Sequence, residues 1–331
     1  MSFTDKETVV LPNLVATAFE PWAGRDDGSG VEHLRWHHVV QSYAAQSKLA
    51  SCVFIGFASD EGVHRNKGRR GAAAGPRALR QALASMALAA PIRAFDAGTV
   101  PVEDDLDAGQ RELGSMVRAA LDAGHFPVVL GGGHEVALGT YRGLADSALL
   151  TTHPRIGILN LDAHFDLRSD EIPSSGTPFR QIFDAASTAG TSVEYAVVGI
   201  SQPSNTAALF DTADRLGVRY LFDDECGAGN LTAVQDFVQD FLGRVDLVYL
   251  TIDLDVLPAA VAPGVSAPAA FGVPLETIQL VADLLTASGK LAVCDVAELN
   301  PAFDIDNRTA RTAARLIHRI VTRHVRLQQL P

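Results

Sequence analysis

Eight short apolar segments alternate with longer amphipathic segments over most of the chain. The apolar segments cover residues 52–57, 92–96, 127–130, 155–161, 193–200, 218–222, 246–254 and 290–296. The amphipathic segments include residues 76–88, 104–122, 209–216, 231–242, 274–287 and 307–323. Segments of the first kind are typical of strands that are buried on both faces, and those of the second kind of helices. The pattern predicts an α/β fold with a mostly parallel sheet of about eight strands, covered by helices on both sides.

The first 50 residues do not continue this alternation. They predict an irregular N-terminal extension with one short helix near residues 39–46. The sequence shows no internal repeat, low-complexity tract or flexible linker that would mark a domain boundary. A chain of 331 residues could form one large domain or two ordinary ones. We expect a single domain across residues 1–331.

Three potential metal ligands alternate directly after the strand predicted at residues 155–161. They are Asp162, His164 and Asp166. In an extended chain, residues i, i+2 and i+4 point to the same side, so these side chains can face one point. On its own, the motif is equally consistent with solvated acids at a strand end. It is not an EF-hand, because the central glycine and the terminal glutamate are missing.

Further acids and one imidazole follow the ends of three other predicted strands. Asp253 and Asp255 come at the end of the seventh apolar segment, His134 follows the third and Glu298 follows the eighth. The carboxyl ends of parallel strands meet at the edge of the sheet where ligands bind. Unpaired carboxylates clustered at the ends of two buried strands would repel each other strongly. Two imidazoles and four carboxylates at this edge therefore suit a pair of divalent cations.

The donor set also indicates the chemistry. Oxygen and imidazole ligands suit Mn²⁺ better than a thiolate-seeking ion, and zinc or iron stays open. Two such ions can lower the pKa of a bridging water to about 7, which predicts a hydrolase. Asp166 is the candidate that aims the resulting hydroxide. Glu298 is the candidate that grips a planar N–C–N cation in bidentate fashion. The alternative for Glu298 is an ion pair with Arg308 or Arg311.

Composition narrows the remaining classes of function. A formal net charge of -12 argues against nucleic acid as the main partner, since phosphate binding needs a concentrated basic surface. The three cysteines, Cys52, Cys226 and Cys294, have no metal-binding spacing and are expected to be buried, reduced thiols. The sequence shows no signal peptide and no apolar run long enough to span a membrane. We expect a cytoplasmic protein.

Several motifs resemble those of the ureohydrolase (arginase/agmatinase) superfamily. They are Gly-Gly-Gly-His-Glu at 131–135, Asp-Ala-His-Phe-Asp at 162–166, Asp-Leu-Asp at 253–255, Ser-Ala-Pro at 266–268 with Gly-Val-Pro at 272–274, and Asp-Val-Ala-Glu-Leu-Asn-Pro at 295–301. The resemblance implies an arginase-like catalytic domain that is a three-layer α/β/α sandwich, two Mn²⁺ per subunit and a homo-oligomer. Six residues match the metal-ligand positions of the superfamily: His134, Asp162, His164, Asp166, Asp253 and Asp255.

Two other segments resemble the formimidoylglutamase branch of this superfamily. One is Arg-Asn-Lys-Gly-Arg-Arg-Gly-Ala-Ala-Ala-Gly-Pro at 65–76, and the other is Ser-Ser-Gly-Thr-Pro-Phe-Arg-Gln at 174–181. Ser175 stands where arginases and agmatinases have a histidine that assists proton transfer. The resemblance therefore implies hydrolysis of N-formimidoyl-L-glutamate to L-glutamate and formamide, as in histidine degradation. It leaves the group that carries the proton unassigned.

The two carboxylates of such a substrate need local cations in an acidic protein. Arg180, close in sequence to the metal motif, is the first candidate to bind them, and Asn66 and Ser175 are further candidate substrate contacts. Two alternatives remain open. The near one is an amidinohydrolase of a guanidino compound such as agmatine or guanidinobutyrate, which would release urea. The other is a non-catalytic metal-binding protein of the same fold.

Overall fold

The described part of the computed structural model, residues 19–43 and 50–328, forms one nine-stranded sheet. The strands are β1 (Val40–Ser42), β2 (Cys52–Ala58), β3 (Ala94–Pro101), β4 (Phe126–Leu130), β5 (Ile156–Leu161), β6 (Val193–Ile200), β7 (Arg219–Phe222), β8 (Leu247–Asp253) and β9 (Leu291–Ala297). Their order across the sheet is β1-β3-β2-β4-β9-β8-β5-β6-β7, and every neighbouring pair is parallel. The α/β architecture and the eight predicted strands are confirmed.

Helices cover both faces of the sheet. They are α1 (Trp36–Val39), α2 (Glu61–Arg65), α3 (Gly75–Ala84), α4 (Leu106–Asp122), α5 (Val136–Ala145), α6 (Pro178–Thr188), α7 (Ala207–Leu216), α8 (Leu231–Arg244), α9 (Leu275–Ala287) and α10 (Arg308–Gln328). The apolar sides of α3, α8, α9 and α10 pack on one face, and those of α4, α5, α6 and α7 pack on the other. Successive strand residues alternate between the two cores, as Cys52 and Val53 do, and β2 and β4 are therefore apolar throughout.

Local signals set the ends of the helices. The side chain of Asp105 accepts a hydrogen bond from the backbone N–H of Ala108 and so caps the first turn of α4. The helix ends just before Gly124, which has a φ of 78° that glycine adopts without strain. Helix α5 was not predicted from the sequence because almost all of its residues are buried and it shows no polar face.

The helix predicted near residues 39–46 is wrong where the structure describes this segment. Helix α1 ends at Val39, and Val40–Ser42 instead forms the edge strand β1 beside β3, with Val40 opposite Ala94. This pairing joins segments more than 50 residues apart, so a local pattern cannot reveal it. The rest of the predicted helix, apart from Tyr43, lies outside the described residues. Within the described chain, no helix is both long and apolar enough to cross a membrane.

Candidate metal centre

Four neighbouring strands deliver the predicted ligands to one edge of the sheet. In the order β4-β9-β8-β5, His134 lies in the loop after β4, Glu298 directly follows β9, Asp253 ends β8 and Asp162 directly follows β5. Parallel strands end at the same edge, so residues far apart in sequence come together there. All of these side chains are buried.

The first group of ligand atoms surrounds the Nδ1 atom of His134. This nitrogen lies 3.1 Å from Asp162 Oδ2, 3.0 Å from Asp166 Oδ2 and 3.2 Å from Asp253 Oδ2. It is buried and makes no hydrogen bond with any of them. The four side chains together offer ligand atoms within 4.8 Å of one another. A buried nitrogen that faces three carboxylates without bonding to them is the arrangement expected around a shared cation.

The second group adjoins the first through Asp162. His164 Nδ1 lies 3.1 Å from Asp255 Oδ2 and 3.5 Å from Asp162 Oδ1. These three side chains also offer ligand atoms within 4.8 Å of one another. Asp162 therefore turns one oxygen toward each group. Two adjoining sites that share a carboxylate fit a pair of divalent cations.

The backbone around these ligands is held in a defined shape. The N–H of His164 donates to Asp162 Oδ1 over 2.7 Å, and the N–H of Asp255 donates to Asp253 Oδ1 over 2.8 Å. Asp166 has a φ of 49°, in the left-handed region that costs energy for a residue with a Cβ atom. This strained turn is maintained by its surroundings and aims the Asp166 carboxylate at His134.

Two polar residues that the sequence analysis did not select support the ligands. Asn205 donates from Nδ2 to the carbonyl oxygen of Ala163 and accepts from the N–H of Phe165, so it fixes the chain on both sides of His164. Thr251 Oγ1 lies 2.9 Å from His134 Nε2. When that nitrogen donates its proton to Thr251, the lone pair of Nδ1 faces the carboxylates, which is the tautomer that a metal ion requires.

Glu298 lies beside the two groups without belonging to either. Its Oε1 accepts a hydrogen bond from the backbone N–H of His134 over 2.9 Å, and its Oε2 is buried without a partner. Its φ of 68° is another left-handed value, so the side chain is held on a strained turn. Arg308 donates to the carbonyl oxygen of Ala260 and makes no ion pair with Glu298. The free oxygen is available to a ligand.

A cavity of about 340 Å³ opens onto this edge, a size typical of small-molecule sites. Among the predicted substrate contacts, Glu298, Ser175 and Asn66 line it, and Asn66 Nδ2 donates to Ser175 Oγ over 3.2 Å. Arg180 is not among the lining residues: it lies on α6 and pairs with Asp184, with Nε 3.2 Å from Oδ1. In the part of the chain that the structure describes, the lysine and arginine side chains that line the cavity are Lys67, Arg69 and Arg168.

Comparison with known proteins identifies the protein family. The sequence profile described as the Arginase family matches residues 50–322. The chain belongs to the arginase family. It is 69% identical over 306 residues to a formimidoylglutamase of Rhodococcus jostii, with 92% of this chain and 96% of the relative covered. It is 70% identical over 305 residues to a formimidoylglutamase of Nocardia farcinica, again with 92% and 96% covered.

A solved structure of the same family has the same fold. The crystal structure of Trypanosoma cruzi formiminoglutamase with Mn²⁺₂ superposes on this arginase-family chain with a TM-score of 0.71 and 27% sequence identity. The match covers 85% of this chain and 95% of the other. Together with the clustered histidines and aspartates, it indicates that this site holds a metal cofactor.

The electrostatics of this arginase-family site reflect crowded, buried acids. Burial, followed by repulsion from neighbouring carboxylates, raises the pKa of Asp166 and raises that of Asp253 well above its usual range. Burial also opposes ionisation of Asp162, but the imidazoles of His134 and His164 lower its pKa overall. Burial and the nearby Glu135 raise the pKa of Glu298 to about 8. Bound cations would remove much of this repulsion.

We expect the metal-free protein to lose stability between about pH 4.5 and pH 8. Unfolded Glu298 releases its proton near pH 4.5, whereas the folded protein retains it to about pH 8. The unfolded state then binds fewer protons, so the free energy of unfolding falls as pH rises, by about 1.4 kcal/mol per pH unit for one retained proton. Raised pKa values at Asp166 and Asp253 act in the same direction.

Thermal unfolding measures this effect when chelator-treated protein is compared at pH 6 and pH 8. Mn²⁺-loaded protein at the same two pH values serves as the comparison. The melting temperature of the metal-free protein is expected to be clearly lower at pH 8, and Mn²⁺ is expected to reduce the difference. Equal melting temperatures of the metal-free protein at the two pH values would contradict the prediction.

Proposed function

We propose that this chain is a binuclear-metal hydrolase that cleaves N-formimidoyl-L-glutamate to L-glutamate and formamide. The observation that carries the proposal is the 69% and 70% identity, over nine-tenths of the chain, to proteins named formimidoylglutamase. The geometry supports it, because a buried carboxylate oxygen without a partner lies beside two groups of metal-binding side chains. That arrangement suits a substrate with an amidine head.

The proposed cofactor is two Mn²⁺ per subunit. His134, Asp162, Asp166 and Asp253 would hold one ion, and Asp162, His164 and Asp255 the other. When bound, the two ions lower the pKa of water to about 7 and so make hydroxide available near neutral pH. The oxygen and imidazole donors suit manganese, and the described cysteines are buried elsewhere in the fold.

The residues of the chain supply positioning and recognition. The Glu298 carboxylate accepts hydrogen bonds from the two nitrogens of the formimidoyl group, and Asp166 orients the attacking water toward its carbon. The new C–O bond forms at that carbon, and the C–N bond to glutamate breaks. Both protons of the water end on the nitrogen of glutamate, which leaves as an ammonium group, and the other product is formamide. Asn66 and Ser175 contact the substrate at the same cavity.

Neither alternative function is favoured. An amidinohydrolase of a guanidino compound would be expected to have the family histidine where this chain has Ser175, and the named relatives are formimidoylglutamases. A non-catalytic protein would be expected to lose metal-binding residues, whereas the six predicted ligands lie together in the two groups.

The proposal also covers the oligomeric state of the protein and its location in the cell. We propose a cytoplasmic homo-oligomer of subunits with one catalytic domain each, which acts on a small molecule. The formal net charge of -12 supports the view that nucleic acid is not a partner.

Assaying purified, Mn²⁺-loaded protein against both substrate classes tests the function. With N-formimidoyl-L-glutamate we expect equal amounts of glutamate and formamide; with agmatine, arginine or 4-guanidinobutyrate we expect little or no urea. Urea from a guanidino compound, with no glutamate from the formimidoyl substrate, would overturn the proposal. Metal analysis of the same preparation is expected to give two manganese ions per chain.

A further inference from the structure

The basic residues near the cavity differ in the contacts that their side chains already make within the protein. Arg65 pairs with Glu61, Arg70 pairs with Asp60 and Glu61, and Arg180 pairs with Asp184. Arg69 donates to the carbonyl oxygens of Ser266 and Val265 and lies over the ring of Phe303. These hydrogen bonds and this ring contact fix the Arg69 side chain in the wall of the cavity. Acids therefore neutralise Arg65, Arg70 and Arg180, whereas the guanidinium of Arg69 keeps its charge but is held by the two carbonyl oxygens and the ring.

Lys67 and Arg168 differ from these four residues because their side chains lack such contacts. Both line the cavity, and neither side chain makes an ion pair or a hydrogen bond with the described residues. The remainder of the lining is dominated near the metal groups by acids, among them Asp166 and Glu298. Lys67 and Arg168, together with Arg69 in the cavity wall, can reverse the local field for an anion in this acidic protein.

The backbone at Lys67 gives a second reason to assign it a function. The N–H of Lys67 bonds to the carbonyl of His64 and that of Gly68 to the carbonyl of Val63, which closes α2 with a Schellman motif. Lys67 occupies the left-handed position of this motif, with a φ of 63°, where glycine is the residue without strain. A lysine there costs stability relative to glycine, and strain of this kind concentrates at functional sites.

Arg168 is placed by the same turn that carries the metal ligands. It stands two residues after Asp166, and its backbone N–H donates to the carbonyl of Gly176 over 2.9 Å. Its side chain crosses Gly176 so closely that a Cβ there would lie 2.9 Å from Arg168 Cδ and 3.2 Å from Asn66 Nδ2. The absence of a side chain at Gly176 therefore allows Arg168 and Asn66 to share this part of the cavity.

We propose that Lys67 and Arg168 bind the two carboxylates of the substrate and so select a dicarboxylic amidine. This inference rests on the proposed function and assigns its specificity to residues other than Arg180. Glu298 recognises the cationic head, and the two cations recognise the anionic end. A guanidino amine such as agmatine offers no carboxylate to these cations and places a positive charge beside them.

Steady-state kinetics of K67M and R168M, both Mn²⁺-loaded, test the assignment. For N-formimidoyl-L-glutamate we expect each variant to raise KM by about 10- to 100-fold with little change in kcat, the loss of one hydrogen bond between charged groups. Arg118, exposed on α4, provides the matched control: R118M is expected to keep the wild-type KM. The conservative variant K67R is expected to retain most of the affinity.

Two truncated substrates separate the contacts. N-formimidoyl-4-aminobutyrate lacks the α-carboxylate, and N-formimidoyl-L-2-aminobutyrate lacks the side-chain carboxylate. Each variant is expected to be impaired against the analogue that keeps its partner carboxylate and to match the wild type against the analogue that lacks it. Variants that are impaired equally against all three substrates would overturn the assignment, because the defect would then not depend on a carboxylate.

K67G distinguishes binding from a structural role. Glycine removes the ammonium group and relieves the left-handed backbone, so we expect the melting temperature to rise by about 1–3 °C while KM rises as in K67M. A K67G enzyme with unchanged KM would overturn the role of Lys67.

If R180M rather than R168M raises KM, the assignment of Arg168 is overturned. A wild-type protein that releases no glutamate would overturn the proposed function itself, whereas active wild type with unaffected K67M and R168M would overturn this inference alone.

Discussion

Replacing Asp162 by asparagine is expected to remove both metal ions and to lower kcat by about 10³-fold or more. Among the described residues, Asp162 is the one side chain that belongs to both groups of ligands, with Oδ2 near His134 and Oδ1 near His164. An amide at this position has no negative charge and offers a single oxygen, so it cannot serve two cations at once. Losing a pair of ions that stabilise the transition state by several kcal/mol corresponds to a loss of this size.

Metal content and kcat measured together decide the outcome, because each ligand group can be perturbed separately. D255N changes only the group formed with His164, so it is expected to bind close to one ion per chain. D211N, an exposed aspartate on α7, is the control and is expected to bind two ions with wild-type kcat. Circular dichroism of each variant verifies the fold. Two tightly bound ions in D162N would contradict the shared-ligand geometry.

Much of this site could be predicted because parallel strands bring their carboxyl ends to one edge. Alternation just after one predicted strand placed Asp162, His164 and Asp166 together, and the apolar segments predicted which other strand ends would join them. The structure brings Asp162 and Asp166 within contact distance of His134, and His164 within contact distance of Asp162. The spacing of two residues continues along the sequence to Arg168, and Thr251 precedes Asp253 by two residues within β8. Both positions can be read from the sequence.

Other features depend on contacts that no local pattern contains. Arg180 is near the metal motif in sequence, but it falls in the first turn of α6, where Asp184 lies one turn away and takes its charge. Arg69 and Arg70 look equivalent in the sequence, yet the first is fixed by backbone carbonyls and the second by acids. Which cation remains unpaired is decided by tertiary contacts, and so is the pairing of β1 with β3.

Replacing Glu298 by glutamine is expected to lower kcat/KM for N-formimidoyl-L-glutamate by about 10²- to 10³-fold while both metal ions stay bound. The carboxylate can accept from both nitrogens of a cationic amidine, whereas an amide offers one acceptor and turns a donor toward a donor. Two hydrogen bonds between charged groups, together worth about 3–4 kcal/mol, account for this range. The metal ions are retained because Glu298 belongs to neither ligand group.

The stability of E298Q separates a lost substrate contact from a damaged fold. Glu298 is a buried carboxylate near Glu135, and these surroundings raise its pKa to about 8, so a neutral amide removes an unfavourable charge. Metal-free E298Q is therefore expected to melt at or above the temperature of the metal-free wild type at pH 8, and its melting temperature should change less between pH 6 and pH 8. An enzyme with two ions, undiminished stability and a kcat/KM near that of the wild type would show that Glu298 does not hold the amidine. If E298Q instead loses activity, stability and bound metal together, the role of Glu298 is to support His134, from whose backbone N–H it accepts a hydrogen bond.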